Sequence, residues 1–189
     1  MLRLFSMAFL LCLAAAPAAA GLFDQRKAEC LACHGANGVS VTADIPSLGG
    51  EPELFALFQL VAFRDNRRKV PDMNEIMAGM SDDDLRAAAA FVAKLPPPPP
   101  PSEPADAARM TRGKALADAN RCAFCHGADF SGHDQIPRLA HQREDYLLLA
   151  LRDYKADKRF GSGAAMNEVL YPLGDADLVE LAYYMAHVK

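Results

Sequence analysis

Two stretches of this chain carry residues spaced for covalent chemistry: Cys30-Leu31-Ala32-Cys33-His34-Gly35 and Cys122-Ala123-Phe124-Cys125-His126-Gly127. Two thiols three residues apart can both reach the vinyl groups of one porphyrin. The His that follows then falls beneath the iron as an axial ligand, so C-x-x-C-H is the attachment pattern of a c-type haem. Two copies, each followed by Gly, make chance a poor account. The spacing predicts two haems c bound through thioethers, one by Cys30 and Cys33 and one by Cys122 and Cys125, with His34 and His126 on the irons.

Other uses of these cysteines stay open at this level. Paired C-x-x-C motifs can build a four-thiolate zinc site, although such sites bring the pairs closer in sequence and need no trailing His. A thioredoxin-like redox pair wants a strand before it and a helix starting at the first Cys. Neither flank reads that way.

The elements that must position these groups come in duplicate. With 189 residues the chain suits one ordinary domain or two small ones, and its net charge of -4 recommends no nucleic-acid partner. The N-terminus has the form of an export signal: Arg3, an apolar run from Met7 to Ala16, then Ala18-Ala19-Ala20 before Gly21. Residues 1–20 are therefore expected to be removed, taking Cys12 with them and leaving only the motif cysteines. Leu10-Leu11 and Leu13 around Cys12 lack the small residues of a lipoprotein site. An uncleaved anchor is the alternative, since the run nearly spans a bilayer if the later alanines are counted.

From Phe23 to Ala32 the chain carries good helix formers without Gly or Pro, which predicts a helix running into the first motif. Residues 35–50 are rich in turn formers and predict a loop wrapping the haem. Between Glu53 and Phe63, Leu54, Leu57, Phe58 and Val61 share one helical face, the kind of greasy surface that suits a flat apolar disc. A basic run, Arg64 to Lys69, follows, and Pro71 is expected to break any helix there. Ser81 with Asp84 reads as a helix cap leading into Leu85 to Leu95. Pro96 to Pro101 then form a polyproline spacer of about 3.1 Å per residue, roughly 19 Å in all.

Beyond the spacer the pattern returns. Ala107 to Arg121 is the leading helix, Ile136-Pro137-Arg138-Leu139 answers Ile45-Pro46-Ser47-Leu48, Tyr146 to Tyr154 answers Phe55 to Phe63, and Met166-Asn167-Glu168-Val169 answers Met73-Asn74-Glu75-Ile76. Gly174 to Leu178 answers Ser81 to Leu85. The offset is 92 at the cysteines, 91 in the middle and 93 at the methionines, so short loop changes alone separate the copies.

The repeat also selects a sixth iron ligand. Of Met73, Met77 and Met80, only Met73 has a Met counterpart, Met166, and both stand eight residues before the cap of the last helix. Met77 and Met80 match Leu170 and Leu173, as packing residues would. Met73 and Met166 are the expected ligands, with packing as the alternative. Met185 is expected in the core and Met110 in the leading helix. His133, His141 and His187 have no first-half partner and are expected as exposed loop or helix residues. His133 or His141 on the second iron would give a lower potential, because Met opposite His is what raises it. Arg64, Arg67, Arg68 and Lys69, with Lys155, Lys158 and Arg159 in the second copy, are either a solvated face or a site for haem propionates or an acidic partner.

These motifs together resemble class I cytochromes c, duplicated, most like the two-haem cytochromes of the c-four type. The resemblance spans nearly all of 21–189. It implies an all-α fold of two tandem class I cytochrome c domains, each a few helices around one covalently bound haem, over 21–95 and 105–189 with 96–104 as a Pro-rich linker. It also implies His/Met ligation, with the carbonyls of Pro46 and Pro137 accepting hydrogen bonds from His34 and His126, which fixes ring orientation. After the Pro the family tends to show Leu-Ala-Gly-Gln; this chain has Leu48-Gly49-Gly50-Glu51 and Leu139-Ala140-His141-Gln142.

The function expected on these grounds is periplasmic electron transfer between protein redox partners, periplasmic or membrane-bound oxidoreductases, with no membrane span after signal cleavage. The alternative is the cytochrome subunit of a periplasmic dehydrogenase, for example a flavocytochrome c sulfide dehydrogenase. A third class, an enzyme with an open sixth site, requires one Met to be absent or displaced.

Overall fold

The computed structural model describes residues 21–159 and 164–188; the expected export signal at 1–20, with Cys12, lies outside the described residues. Nine helices appear among them: α1 (Leu22–His34), α2 (Glu53–Arg64), α3 (Pro71–Met77), α4 (Asp82–Ala93), α5 (Ala107–Ala119), α6 (Cys122–His126), α7 (Glu144–Lys155), α8 (Ala164–Leu170) and α9 (Asp175–His187). A single isolated β-bridge, His133 to Ile136, is the only extended pairing among the described residues. The described residues are all-α, in two helical halves of similar element order.

Helix packing sorts into two sets. In the first half α4 packs on α1 and α2, and α3 on α2; in the second, α9 packs on α5 and α7, and α8 on α7. The first core gathers Phe63, Met77, Met80 and Leu85, with Ala56, Ala89 and Val92 beside it. The second gathers Leu147, Tyr154, Leu170, Leu173 and Leu178 with much of α9, including Met185. Gly113 lets α5 and α9 approach closely, since a Cβ there would meet Tyr184 Cβ at 2.4 Å and the Glu180 carbonyl at 2.6 Å.

Ser81 caps α4 as its sequence predicts: its hydroxyl accepts the Asp84 N–H at 3.1 Å, and the Asp84 carboxylate returns a bond to the Ser81 N–H at 3.0 Å. The other Asp84 oxygen accepts the Phe23 N–H at 3.0 Å, so one carboxylate serves the N-termini of two helices. At Gly174, which has no side chain to give, the cap keeps the bond from its N–H to the Asp177 carboxylate, at 2.8 Å.

Two expectations need correction. Pro71 starts a helix instead of breaking one, because at the first helical position its missing N–H removes nothing and its φ is preset. The second leading helix does not run to Arg121: it ends at Ala119, Arg121 takes the left-handed conformation, and α6 starts afresh at Cys122. The apolar stripe of α2 is only partly covered, with Leu54 42% and Phe58 45% exposed while Ala56, Gln59, Ala62 and Phe63 are buried. That leaves apolar surface of the kind a porphyrin plane covers.

Candidate functional site

In each half the C-x-x-C-H motif ends a helix, so the His is the last helical residue and points its ring into the fold. His34 and His126 are both buried. Nδ1 of His34 lies 2.8 Å from the Pro46 carbonyl, and Nδ1 of His126 lies 3.0 Å from that of Pro137. With Nδ1 committed, Nε2 is the nitrogen left for a metal. Burial lowers the pKa of both rings, against the raising pull of the Pro carbonyls, which favours the neutral ring that ligates.

A repeated turn brings each Pro to its His. Gly38 O accepts the N–H groups of Leu48 and Gly49 at 2.7 and 3.1 Å; Phe130 O accepts those of Leu139 and Ala140 at 2.9 and 3.1 Å. Gly38 has φ +72° and Phe130 φ +55°. The left-handed conformation costs a non-glycine residue about 1 kcal/mol, and burial of the Phe130 ring edge-on to Tyr184 offsets it. The second loop is one residue shorter, which accounts for the drop in repeat offset from 92 to 91.

The four motif cysteines form no disulfide with one another; Cys30 and Cys122 are half-buried, Cys33 and Cys125 exposed. Burial raises the thiol pKa of Cys30 and of Cys122. No group of three or more His, Cys, Asp or Glu side chains gathers to hold an ion among the described residues, so the two pairs do not form a four-thiolate centre. A helix does start at Cys122, as a thioredoxin-like pair would want, but a helix precedes it where that arrangement needs a strand.

Met77 and Met80 are buried in the first core, as are their counterparts Leu170 and Leu173 in the second. Met73 and Met166 are half-buried at the edges of those cores. Asn74 beside Met73 ties α3 down by donating to the carbonyls of Phe63 and Arg68 at 2.6 and 2.9 Å. Histidine placement is mixed. His133 is exposed beside Asp134, and His187 stacks on Tyr183. His141 departs from expectation: it is half-buried, with ring nitrogens 3.3 Å from the Pro98 carbonyl and 2.7 Å from that of Val188, so it joins the linker to the chain's C-terminal end.

The basic clusters divide. Arg64 pairs with Asp65 and Asp82 on the surface. Arg68 and Arg159, which occupy equivalent repeat positions, turn inward and both donate to the Tyr146 hydroxyl, at 3.2 and 3.0 Å. Burial alone would raise the phenol pKa, but the charges of Arg159 and Arg68 outweigh it and bring it down to about 8. Arg159 is 6% exposed and its Nε has no hydrogen-bond partner among the described residues. Two guanidiniums converging on one phenol, one of them with an orphaned donor, are a fit for an acidic group such as a haem propionate. Together with the committed Nδ1 atoms and the Cys pairs, this donor set fits a c-type haem in each half.

Contacts between the halves were almost illegible along the chain. Ser47 N–H donates to Gln142 Oε1 at 2.8 Å, and Gln142 Nε2 returns to the Ser47 carbonyl at 2.8 Å. Glu51 Oε2 accepts the Arg138 N–H at 3.1 Å, Arg143 donates to the Ser40 carbonyl at 3.1 Å, and the Phe55 N–H donates to the Asp134 carbonyl at 3.0 Å. The one available signal was that positions 51 and 142, equivalent in the repeat, both carry a long polar side chain.

Comparison with known proteins bears on this arrangement directly. The family model for cytochrome c matches residues 18–96 and again 110–189. Cytochrome c4 of Pseudomonas aeruginosa is 30% identical over 180 residues, spanning 91% of this chain and 89% of that protein. The thiosulfate dehydrogenase electron acceptor of Thiomonas intermedia is 29% identical over 188 residues, spanning 91% and 84%. Among solved structures, reduced recombinant cytochrome c4 from Pseudomonas stutzeri superposes with a TM-score of 0.79 at 26% identity, covering 88% of this chain and 97% of the other.

Proposed function

This chain belongs to the cytochrome c family, and from that premise we propose that His34 and Met73 ligate one iron while His126 and Met166 ligate the other. It is a two-haem electron-transfer protein with covalently bound c-type haems, and not an enzyme by family. When bound, each haem supplies an iron that takes up and gives back a single electron.

The chain's own residues do the rest. Cys30, Cys33, Cys122 and Cys125 anchor the groups, so an exported protein keeps them. Pro46 and Pro137 hold the imidazoles in one orientation and one tautomer. Met73 and Met166, as the opposing ligands, would close both irons to substrate and raise their potentials. Arg68 and Arg159 offer their donors to propionates. The observation supporting this reading most is that the His-to-Pro contact recurs in both halves, at 2.8 and 3.0 Å, beside each Cys pair.

The working compartment is the periplasm, reached through the export signal at 1–20, and the partners are protein oxidoreductases. No described helix is long and apolar enough to cross a membrane. A second reading is favoured by the 29% identity to a thiosulfate dehydrogenase electron acceptor: electrons arriving from a dehydrogenase that oxidises a sulfur compound. Stopped-flow reduction by such an enzyme separates the two readings.

The ligand set is tested by potentiometric titration in the visible and near infrared, with carbon monoxide as a probe for an open iron. Two haems per chain are expected, neither binding carbon monoxide. Met73→Ala and Met166→Ala are each expected to remove one Met-to-iron charge-transfer absorption and lower one potential. Unchanged spectra in both variants would refute the ligand set.

A further inference from the structure

The same two peptide groups that hold the axial histidines are each gripped from behind by the opposite half. The Pro46–Ser47 peptide gives its carbonyl to His34 and its N–H to Gln142 Oε1. The Pro137–Arg138 peptide gives its carbonyl to His126 and its N–H to Glu51 Oε2. Residues 51 and 142 are repeat partners, so the arrangement is reciprocal, and both side chains are buried, at 9% and 5% exposure. The two ends differ in charge: one is a neutral amide, which also donates to the Ser47 carbonyl, and the other an ionisable carboxyl.

An amide polarises as a unit. An acceptor on its N–H increases the electron density on its carbonyl oxygen, which then draws harder on the next donor in the chain. A charged acceptor does this more strongly than a neutral one. The bond made by the far ring nitrogen of a ligating His raises its basicity and so shifts the metal's potential.

We propose that Glu51 is a positioning and tuning residue for the second haem, acting across the boundary through the Pro137–Arg138 peptide on His126, while Gln142 gives the first haem an uncharged counterpart. This rests on the axial roles proposed above for His34 and His126. Burial pushes the Glu51 carboxyl up to about 8, against the lowering pull of the Arg138 N–H and of the Arg138 and Arg159 charges. Those two arginines are the cations facing it. The nearby Asp134 turns its carboxylate to solvent, side chain 82% exposed, and Tyr146 lies beyond Arg159. The sign follows from the chemistry. An anionic Glu51 makes His126 a stronger donor and favours the oxidised metal, so the potential of the second haem falls as pH rises. Near the carboxyl's pKa, an electron arriving from the redox partner is accompanied by fractional proton uptake at Glu51.

The test uses the holoprotein: wild type, Glu51→Gln, Gln142→Glu and Tyr146→Phe. The potential of each haem is followed by NMR and near-infrared titration at pH values on either side of 8. In the wild type the second haem's potential should fall through this range more steeply than the first's. Glu51→Gln should flatten that fall and leave the first haem unmoved, and Gln142→Glu should install a fall on the first haem. Tyr146→Phe should leave the second haem's profile in place. A Glu51→Gln profile identical to wild type, an equal displacement of both haems, or loss of the profile in Tyr146→Phe would each overturn the inference. Wild-type spectra without two His/Met haems would overturn the ligation reading; intact spectra with a flat wild-type profile would overturn this inference alone.

Discussion

Replacing Gln142 by Ala removes the side chain that joins the two halves most completely. Its amide accepts the Ser47 N–H and donates to the Ser47 carbonyl, both at 2.8 Å, and also accepts the Arg143 N–H at 3.0 Å. Ser47 is 2% exposed, so water cannot replace the lost partners while the halves stay docked. A buried polar group stripped of its partner costs about 1–3 kcal/mol, which gives roughly 2–6 kcal/mol for the two Ser47 groups together. Arg143 is half-buried at the N-terminus of α7 and can bond to water, so its share is small. The loss is capped by the docking free energy of the halves, because separation lets water reach Ser47. Urea unfolding of the holoprotein, followed at the haem absorption and by hydrogen exchange of the Ser47 amide, should show a lower midpoint, two separated transitions and faster exchange. A stability change under about 0.5 kcal/mol, within the range of an ordinary surface substitution, together with unchanged exchange would refute the reasoning.

Tyr146→Phe removes the shared acceptor of Arg68 and Arg159 and should destabilise by about 1–3 kcal/mol in thermal or urea unfolding. A phenol whose folded pKa of about 8 lies below its ordinary 10.0 contributes stability that is present above 10.0 and lost as pH falls through 8. Wild-type stability should therefore gain an increment between those values that the Phe variant lacks. Gly113→Ala puts a methyl group into the α5–α9 crossing, where Tyr184 Cβ and the Glu180 carbonyl leave no room. It should cost about 1–3 kcal/mol by overpacking, read as earlier melting of the second half, while a similar change at exposed Arg112 should have little effect.

Much of this molecule could be read in advance, and the reason differs by element. The cap at Ser81 and Asp84 was legible because it is made between residues three apart, and local chemistry needs no knowledge of the fold. The packing roles of Met77 and Met80 were legible because the second copy carries Leu170 and Leu173 there, and both pairs are buried. Pro71 was misread because a proline breaks a helix or begins one according to what precedes it, here extended Val70. The break at Arg121 was invisible because its left-handed turn answers to how α5 and α6 sit, not to any helix breaker in the sequence.

What the sequence determined by itself is the cofactor chemistry and its number: two C-x-x-C-H motifs within a duplicated frame, each motif complete within a few residues. Tertiary structure alone decided which polar side chains answer one another across the boundary. Gln142 meets Ser47 across 95 positions of chain, and Glu51 meets Arg138 across 87. Such partners are chosen by how two loops dock, and no periodicity or spacing along the chain encodes that geometry.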